Sequence, residues 1–213
     1  HFGYRRQRQM CIRDRLFLAS ASQRRTELLD LMQITHKVIP QDFDEDSIQS
    51  QDPIECSQQI VKGKNISARE LLKNNDEDTP IMTADTLVFT PSNKIVGKPK
   101  DHDHSRQMLN EFSNQTHSVF STVMISNSEK SLITTCKTLV TFKELSEDEI
   151  EEYVLSEEGV GKAGAYGIHG PAGKYITSIS GSYTNVVGLP MHETYELLPV
   201  SYTHLTLPTI AEV

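Results

Sequence analysis

Two hydrophobic periods share this chain. Leu16-Phe17-Leu18-Ala19 is an unbroken apolar run of strand length, and Val38-Ile39-Pro40 reads as extended. Ile81 to Phe89 is a longer strand, which turns at Pro91-Ser92-Asn93 into Lys94-Ile95-Val96 and ends at Gly97-Lys98-Pro99. His117 to Ile125 and Leu132 to Phe142 form a long strand pair. Tyr175 to Ile179 and Tyr183 to Val187 form another around Ser180-Gly181-Ser182. Helical spacing appears in Thr26 to Met32, with Leu28, Leu29 and Leu31 on the apolar side. It recurs in Pro53 to Leu72, where Ile54, Ile60, Val61, Ala68, Leu71 and Leu72 supply a stripe that Gly63 weakens. Asp101 to Phe112 turns Met108, Leu109 and Phe112 inward. Ser146-Glu147-Asp148-Glu149 is a capping box opening a helix to Leu155, and Pro190 opens a last helix to Leu198.

Asp42-Phe43-Asp44-Glu45-Asp46 is an acidic loop, and Asn74 to Pro80 a polar linker. Helices and strands alternate early, and strands cluster later. The expectation is a mixed α/β domain with a long, curved sheet.

Composition narrows the function classes. At 213 residues the chain suits one domain, possible in two lobes, with a sizeable core. The net charge of −8 argues against general binding to nucleic acid backbones, so an anion site must be a local positive patch. No apolar run reaches the roughly 18 residues of a membrane helix, and Arg and Gln stand where a signal peptide needs an apolar stretch. Cys11, Cys56 and Cys136 lack metal-ligand spacing and read as free thiols in a reducing cytoplasm.

The ends differ from the middle. Residues 1–15 hold Arg5, Arg6, Arg8, Arg13 and Arg15 against Asp14, and residues 199–213 carry only Glu212. A basic arm can bind nucleic acid or acidic lipid, and it can equally be a disordered tail. Both ends also resemble non-native translated sequence. The expected domain is 16–198, with tails at 1–15 and 199–213 that are non-native or disordered.

Six short segments carry candidate chemistry. Ser20, Ser22, Arg24 and Arg25 lie in a strand-to-helix loop, where backbone N–H groups and a helix dipole favour anions. Paired arginines can grip phosphate, though the segment can also be a solvated turn. The chain has no Walker P-loop. Asp85 follows an apolar entry and precedes Thr86; such a carboxylate can ligate Mg²⁺ or orient water, or simply end a strand. Lys98 is pinned between Gly97 and Pro99, as a site cation or an exposed turn lysine. Asp44 and Glu45 can add metal oxygens or remain a solvated loop. Lys62 and Lys64 cannot share a helix face, so one points to a site and the other to solvent. The loop from Gly161 to Gly173 permits close backbone approach to a ligand, with Tyr166 able to pack on a base and His169 able to bond its edge. His102, His104 and His117 have no ligand spacing and read as surface or core residues. Taken together, the strings suggest a polyphosphate pocket.

Six segments in order resemble the Maf family, historically called septum formation inhibitors. They are Leu18 to Arg25, Ala84-Asp85-Thr86, Gly97-Lys98-Pro99, Phe112 to His117, Lys162 to Gly170 and Gly181 to Pro190. The resemblance implies an elongated mixed β-sheet flanked by helices, with two lobes around a nucleotide cleft. It implies hydrolysis of nucleoside triphosphates, dTTP and UTP foremost, to nucleoside monophosphate and pyrophosphate in the cytoplasm. It makes Asp85 the proton acceptor beside a divalent metal, Mg²⁺ or Mn²⁺, with Glu45 as a further metal or water ligand. Ser20, Arg24, Arg25, Lys64 and Lys98 would hold the triphosphate, and Arg24, Thr86 and His169 would tune base choice. It further implies no nucleic acid or membrane partner, and a homodimer. The alternative is a nucleotide-binding regulator of cell division with little turnover. Two positions depart from the pattern: Gln23 stands for a proline and His169 for a glutamine.

Overall fold

The computed structural model describes residues 16–72, 79–92 and 94–202. The expectations for 1–15, most of the polar linker, Asn93 and the last eleven residues lie outside the described residues. A seven-stranded mixed sheet organises the rest in the order β2-β1-β3-β5-β6-β7, with β4 also on β3. Its strands are β1 (Leu16–Leu18), β2 (His36–Val38), β3 (Ile81–Phe89), β4 (Ile95–Val96), β5 (Thr116–Ser126), β6 (Ser131–Phe142) and β7 (Ile176–Ser180). The helices are α1 (Gln23–Leu31), α2 (Pro53–Leu72), α3 (His102–Phe112), α4 (Glu147–Leu155), α5 (Tyr183–Val187) and α6 (Met191–Tyr202).

β3 sorts its side chains onto two faces, as alternation in a strand requires. Met82 and Ala84 pack with Leu16, Leu18, Leu28, Val123 and Leu198. On the other face Ile81 meets Ala68 and Leu87 meets Ile60, both from α2. β5 and β6, with 11 and 12 residues, are long enough to serve a second core around Phe112, Val140, Phe142 and Tyr175. These separate cores are the two lobes.

The pairing leaves a gap. β1 pairs in parallel with β3 only at Ile81 and Met82, and β4 rejoins β3 at Val88 and Phe89. β5 covers the opposite edge of β3 along its whole length. The edge from Thr83 to Leu87 is thus uncovered between β1 and β4.

Several elements differ from the sequence expectation. Tyr183 to Val187 is a helix, not a strand: Ser182 caps it by accepting from the Asn185 N–H, and the fully buried Asn185 side chain bonds Ser121 N–H, Val119 C=O and Thr138 Oγ1. Those ties outweigh the strand preference of Val186-Val187. Helix α1 starts at Gln23, so Arg24 and Arg25 are helical rather than in the loop. Leu31, Ile54 and Leu71 face solvent, and α2 instead buries Cys56, Ser57, Lys64 and Asn65 beside its apolar residues. β2 lies two residues earlier than Val38-Ile39-Pro40, and α6 continues to Tyr202. Gly63 does not interrupt α2, although glycine inside a helix costs ~1 kcal/mol relative to alanine.

His117 is a core residue. It stacks on Phe112, and Nε2 lies 2.8 Å from the Tyr166 hydroxyl. Burial pushes its pKa down from 6.5 to about 4. Below the unfolded pKa the unfolded chain binds a proton that the folded imidazole refuses, so stability is full above pH 6.5 and falls toward pH 4. The loss from this one group should be roughly 3 kcal/mol. Urea titrations from pH 7 to 4 should show it, and His117→Phe should flatten that part of the profile. An unchanged profile in the variant would exclude His117 as its source.

Candidate active site

A cavity of about 990 Å³ opens at the uncovered edge of β3. The turn after β1 and the first turn of α1 bring Ser20, Arg24 and Arg25 to it. The Gly97 turn brings Lys98, the glycine loop brings His169, and the acidic loop brings Glu45. Asp85, Thr86 and Lys64 line it from β3 and α2, so every site residue expected from the sequence borders one cavity. Lys100 and Lys162, to which the sequence reading gave no role, also line it. The signal for Lys162 was its place at the start of the glycine loop.

The two faces of β3 divide the chemistry. On the α2 face, Lys64 Nζ donates to Asp85 Oδ1 and to Glu45 Oε1, both at 2.9 Å. Lys64 and Asp85 side chains are 6% and 5% exposed, while Lys62 is exposed, as their spacing requires. Asp85 Oδ2 is buried and has no hydrogen-bond partner among the described residues. On the other face, Arg25 works as a brace: Nε donates to Gly188 C=O at 3.0 Å, Nη1 to Ser20 Oγ at 2.9 Å and Nη2 to Thr86 Oγ1 at 3.3 Å. Thr86 Oγ1 also lies 2.9 Å from Ser121 Oγ. Burial lowers the Arg25 pKa against the raising effects of Asp85 and Glu45.

The glycine loop is tied to the opposite wall. Gly164, at φ +72°, donates its N–H to Gly97 C=O at 3.0 Å, and a Cβ there would press on Val88 and Phe112. This holds Lys98 and the loop on one rim. Tyr166 packs edge-on against Phe112 and Phe142, and so anchors the loop from the core rather than offering a platform for a base. His169 is exposed at the rim. Partial burial, then Arg24 and Lys162, push its pKa down and keep the imidazole neutral.

Among the described residues no group of three or more His, Cys, Asp or Glu side chains could hold a metal alone. Mg²⁺ does not need such a cage, because one or two carboxylates plus substrate phosphates and water suffice. Glu45 and Asp85 fit that pattern.

Cations set against paired carboxylates at a sheet edge define an α/β protein built to hold a polyanion beside a buried carboxylate. The family is shown by comparison: the profile described as Maf-like protein matches residues 15–200, and the chain belongs to the Maf family. It is 41% identical over 184 residues to a dTTP/UTP pyrophosphatase of Escherichia coli strain K12, covering 86% of this chain and 91% of the relative. It is 40% identical over 187 residues to a dTTP/UTP pyrophosphatase of Clostridium botulinum, covering 86% and 97%. A Chromobacterium violaceum protein of the same name is 39% identical over 185 residues, covering 86% and 93%.

Removing Lys64 alone should leave the Asp85 charge buried without compensation. Lys64→Met is expected to lower unfolding free energy by about 3 kcal/mol, and adding Asp85→Asn should restore most of it. Chemical denaturation of both variants checks this. Additive losses would show that the pair is not coupled.

Proposed function

We propose that this chain is a nucleoside triphosphate pyrophosphatase. It hydrolyses dTTP and UTP to the nucleoside monophosphate and pyrophosphate, and residues 16–198 carry the activity. The observation that carries the reading is the unpartnered Oδ2 of Asp85 at a cavity lined by Arg24, Lys64, Lys98 and Lys162. The names of the relatives agree with it.

In this reading Asp85 Oδ2 accepts a proton from water as the water oxygen attacks the α-phosphorus. The α–β anhydride bond breaks, and pyrophosphate leaves with its electron pair. Lys64 holds Asp85 Oδ1, which fixes the carboxylate so that Oδ2 faces its task. Arg24, Lys98 and the Ser20 hydroxyl meet the phosphate oxygens, where positioning and charge neutralisation supply most of the catalysis. Arg25 braces Ser20 and Thr86 while two of its five N–H groups remain for phosphate. Glu45 and Asp85 would hold a divalent cation, Mg²⁺ or Mn²⁺, which when bound neutralises phosphate charge and lowers the pKa of a bound water. Thr86 and His169 are assigned to base choice; neutral His169 offers a donor or an acceptor to a pyrimidine edge.

Among the described residues no helix is long and apolar enough to cross a membrane. Free Cys56 and Cys136 and a nucleotide substrate agree with a cytoplasmic site of action.

Pyrophosphate release from dTTP, UTP, CTP, GTP and methylated GTP, with Mg²⁺ or Mn²⁺, tests the assignment. Selective release from dTTP and UTP is expected. Release from another nucleotide would keep the chemistry and overturn the substrate, and tight binding without release from any would support a regulator instead. Asp85→Asn should cut turnover by ~10²–10⁴-fold while nucleotide still binds. Near-normal turnover would remove Asp85 as the proton acceptor.

A further inference from the structure

Gly63 sits in the middle of α2 with no turn, bulge or positive φ to call for glycine. Its Cβ position is already filled. The three atoms nearest to a side chain built there are all ring carbons of Phe43, close enough to overlap. The missing side chain is therefore a notch, and the Phe43 ring is seated in it.

The notch lies under the acidic loop. Asp42 N–H donates to Ser67 Oγ at 2.8 Å, one helical turn beyond Gly63. Phe43 and Ile48 pack against the buried cluster of Cys56, Ile60 and Leu87. The loop is thus pegged by apolar side chains on both sides of its 3₁₀ turn, Glu45–Ser47. Glu45 begins that turn, with its carboxylate 2.9 Å from Lys64 Nζ, the residue after the notch. A half-exposed glutamate on a surface loop holds no fixed position by itself.

We propose that Phe43, seated in the Gly63 notch, is a positioning residue that fixes the Glu45 carboxylate over Lys64 and Asp85. Phe43 lines the cavity but makes no hydrogen bond to Lys64 or Asp85. It acts through Glu45, and the inference rests on the metal role proposed above for Glu45. The notch also accounts for a glycine that opposes local helix preference.

The test is Mn²⁺ binding to the full chain with an α,β-non-hydrolysable UTP analogue, read by electron paramagnetic resonance of free Mn²⁺. Hydrogen exchange of residues 42–48 is measured alongside. Residues that orient a metal ligand cost ~10–100-fold in affinity when removed. Phe43→Ala and Gly63→Ala should each weaken Mn²⁺ binding by ~10-fold, close to the effect of Glu45→Gln, and speed exchange across 42–48. Gly63→Ala should do so although alanine is the better helix former. Phe43→Leu, which keeps an apolar peg, should retain most of the affinity. Adding Phe43→Ala to Glu45→Gln should cost nothing more.

Wild-type Mn²⁺ affinity in Phe43→Ala, with the loss confined to Glu45→Gln, would overturn the positioning role and leave the metal reading standing. Unchanged affinity in Glu45→Gln would overturn the metal role of Glu45 and this inference with it. Additive losses in the double variant would overturn it too, because Phe43 would then act elsewhere.

Discussion

One buried ammonium holds the site together. Asp85 and Glu45 bring like charge into one corner of the cavity, which their repulsion opposes unless a cation stands between them. Lys64 is that cation, at 2.9 Å from both. Taking the Lys64 and Asp85 charges out of water costs several kcal/mol per ion, so the arrangement depends on the close geometry of the two ion pairs. An ammonium has three donors. Two are committed here, which leaves one for a phosphate oxygen.

The same economy shapes β3. Its uncovered stretch from Thr83 to Leu87 places consecutive residues on opposite faces, so Asp85 meets α2 while Thr86 meets α1 and the turn before Leu189. A ligand at the edge can therefore reach chemistry on both faces. Helices on both sides of the sheet are what allow such an edge to be lined with buried polar groups. The network of Arg25, Ser20, Thr86, Ser121 and Asn185 satisfies those groups on one face, and on the other Lys64 satisfies Asp85 Oδ1 while Oδ2 stays open.

The strands and the outline of the site were legible because their signals are local. Apolar runs marked β1, β3, β5 and β6, and short boxes of charged residues and glycine marked the cavity wall. What was hidden depended on contacts across the chain. Gly63 looked like a weakness in α2, since its partner Phe43 is twenty residues away. Val186-Val187 looked like strand, since the buried bonds of Asn185 that hold the helix cannot be seen locally. Leu31 and Leu71 fitted a helical stripe and face solvent, while Lys64 and Asn65 took the buried places. Polar burial is the hardest feature to read from a pattern, because a hydrophobic period assigns polar residues to water.

The adjacent arginines show how one helical turn separates tasks. Neighbouring residues on a helix point about 100° apart, so Arg24 and Arg25 leave the helix in different directions. Arg25 turns inward and spends three N–H groups, two on the Ser20 and Thr86 hydroxyls and one on the Gly188 carbonyl. Arg24 remains at the cavity, near enough to His169 that its charge, with that of Lys162, helps keep the imidazole neutral. Under the proposed function the cations therefore do two things at once. They neutralise phosphate at one end of the substrate, and at the other they add to the partial burial that lowers the pKa of His169. A neutral imidazole can present a donor or an acceptor to a pyrimidine, whereas an imidazolium could only donate.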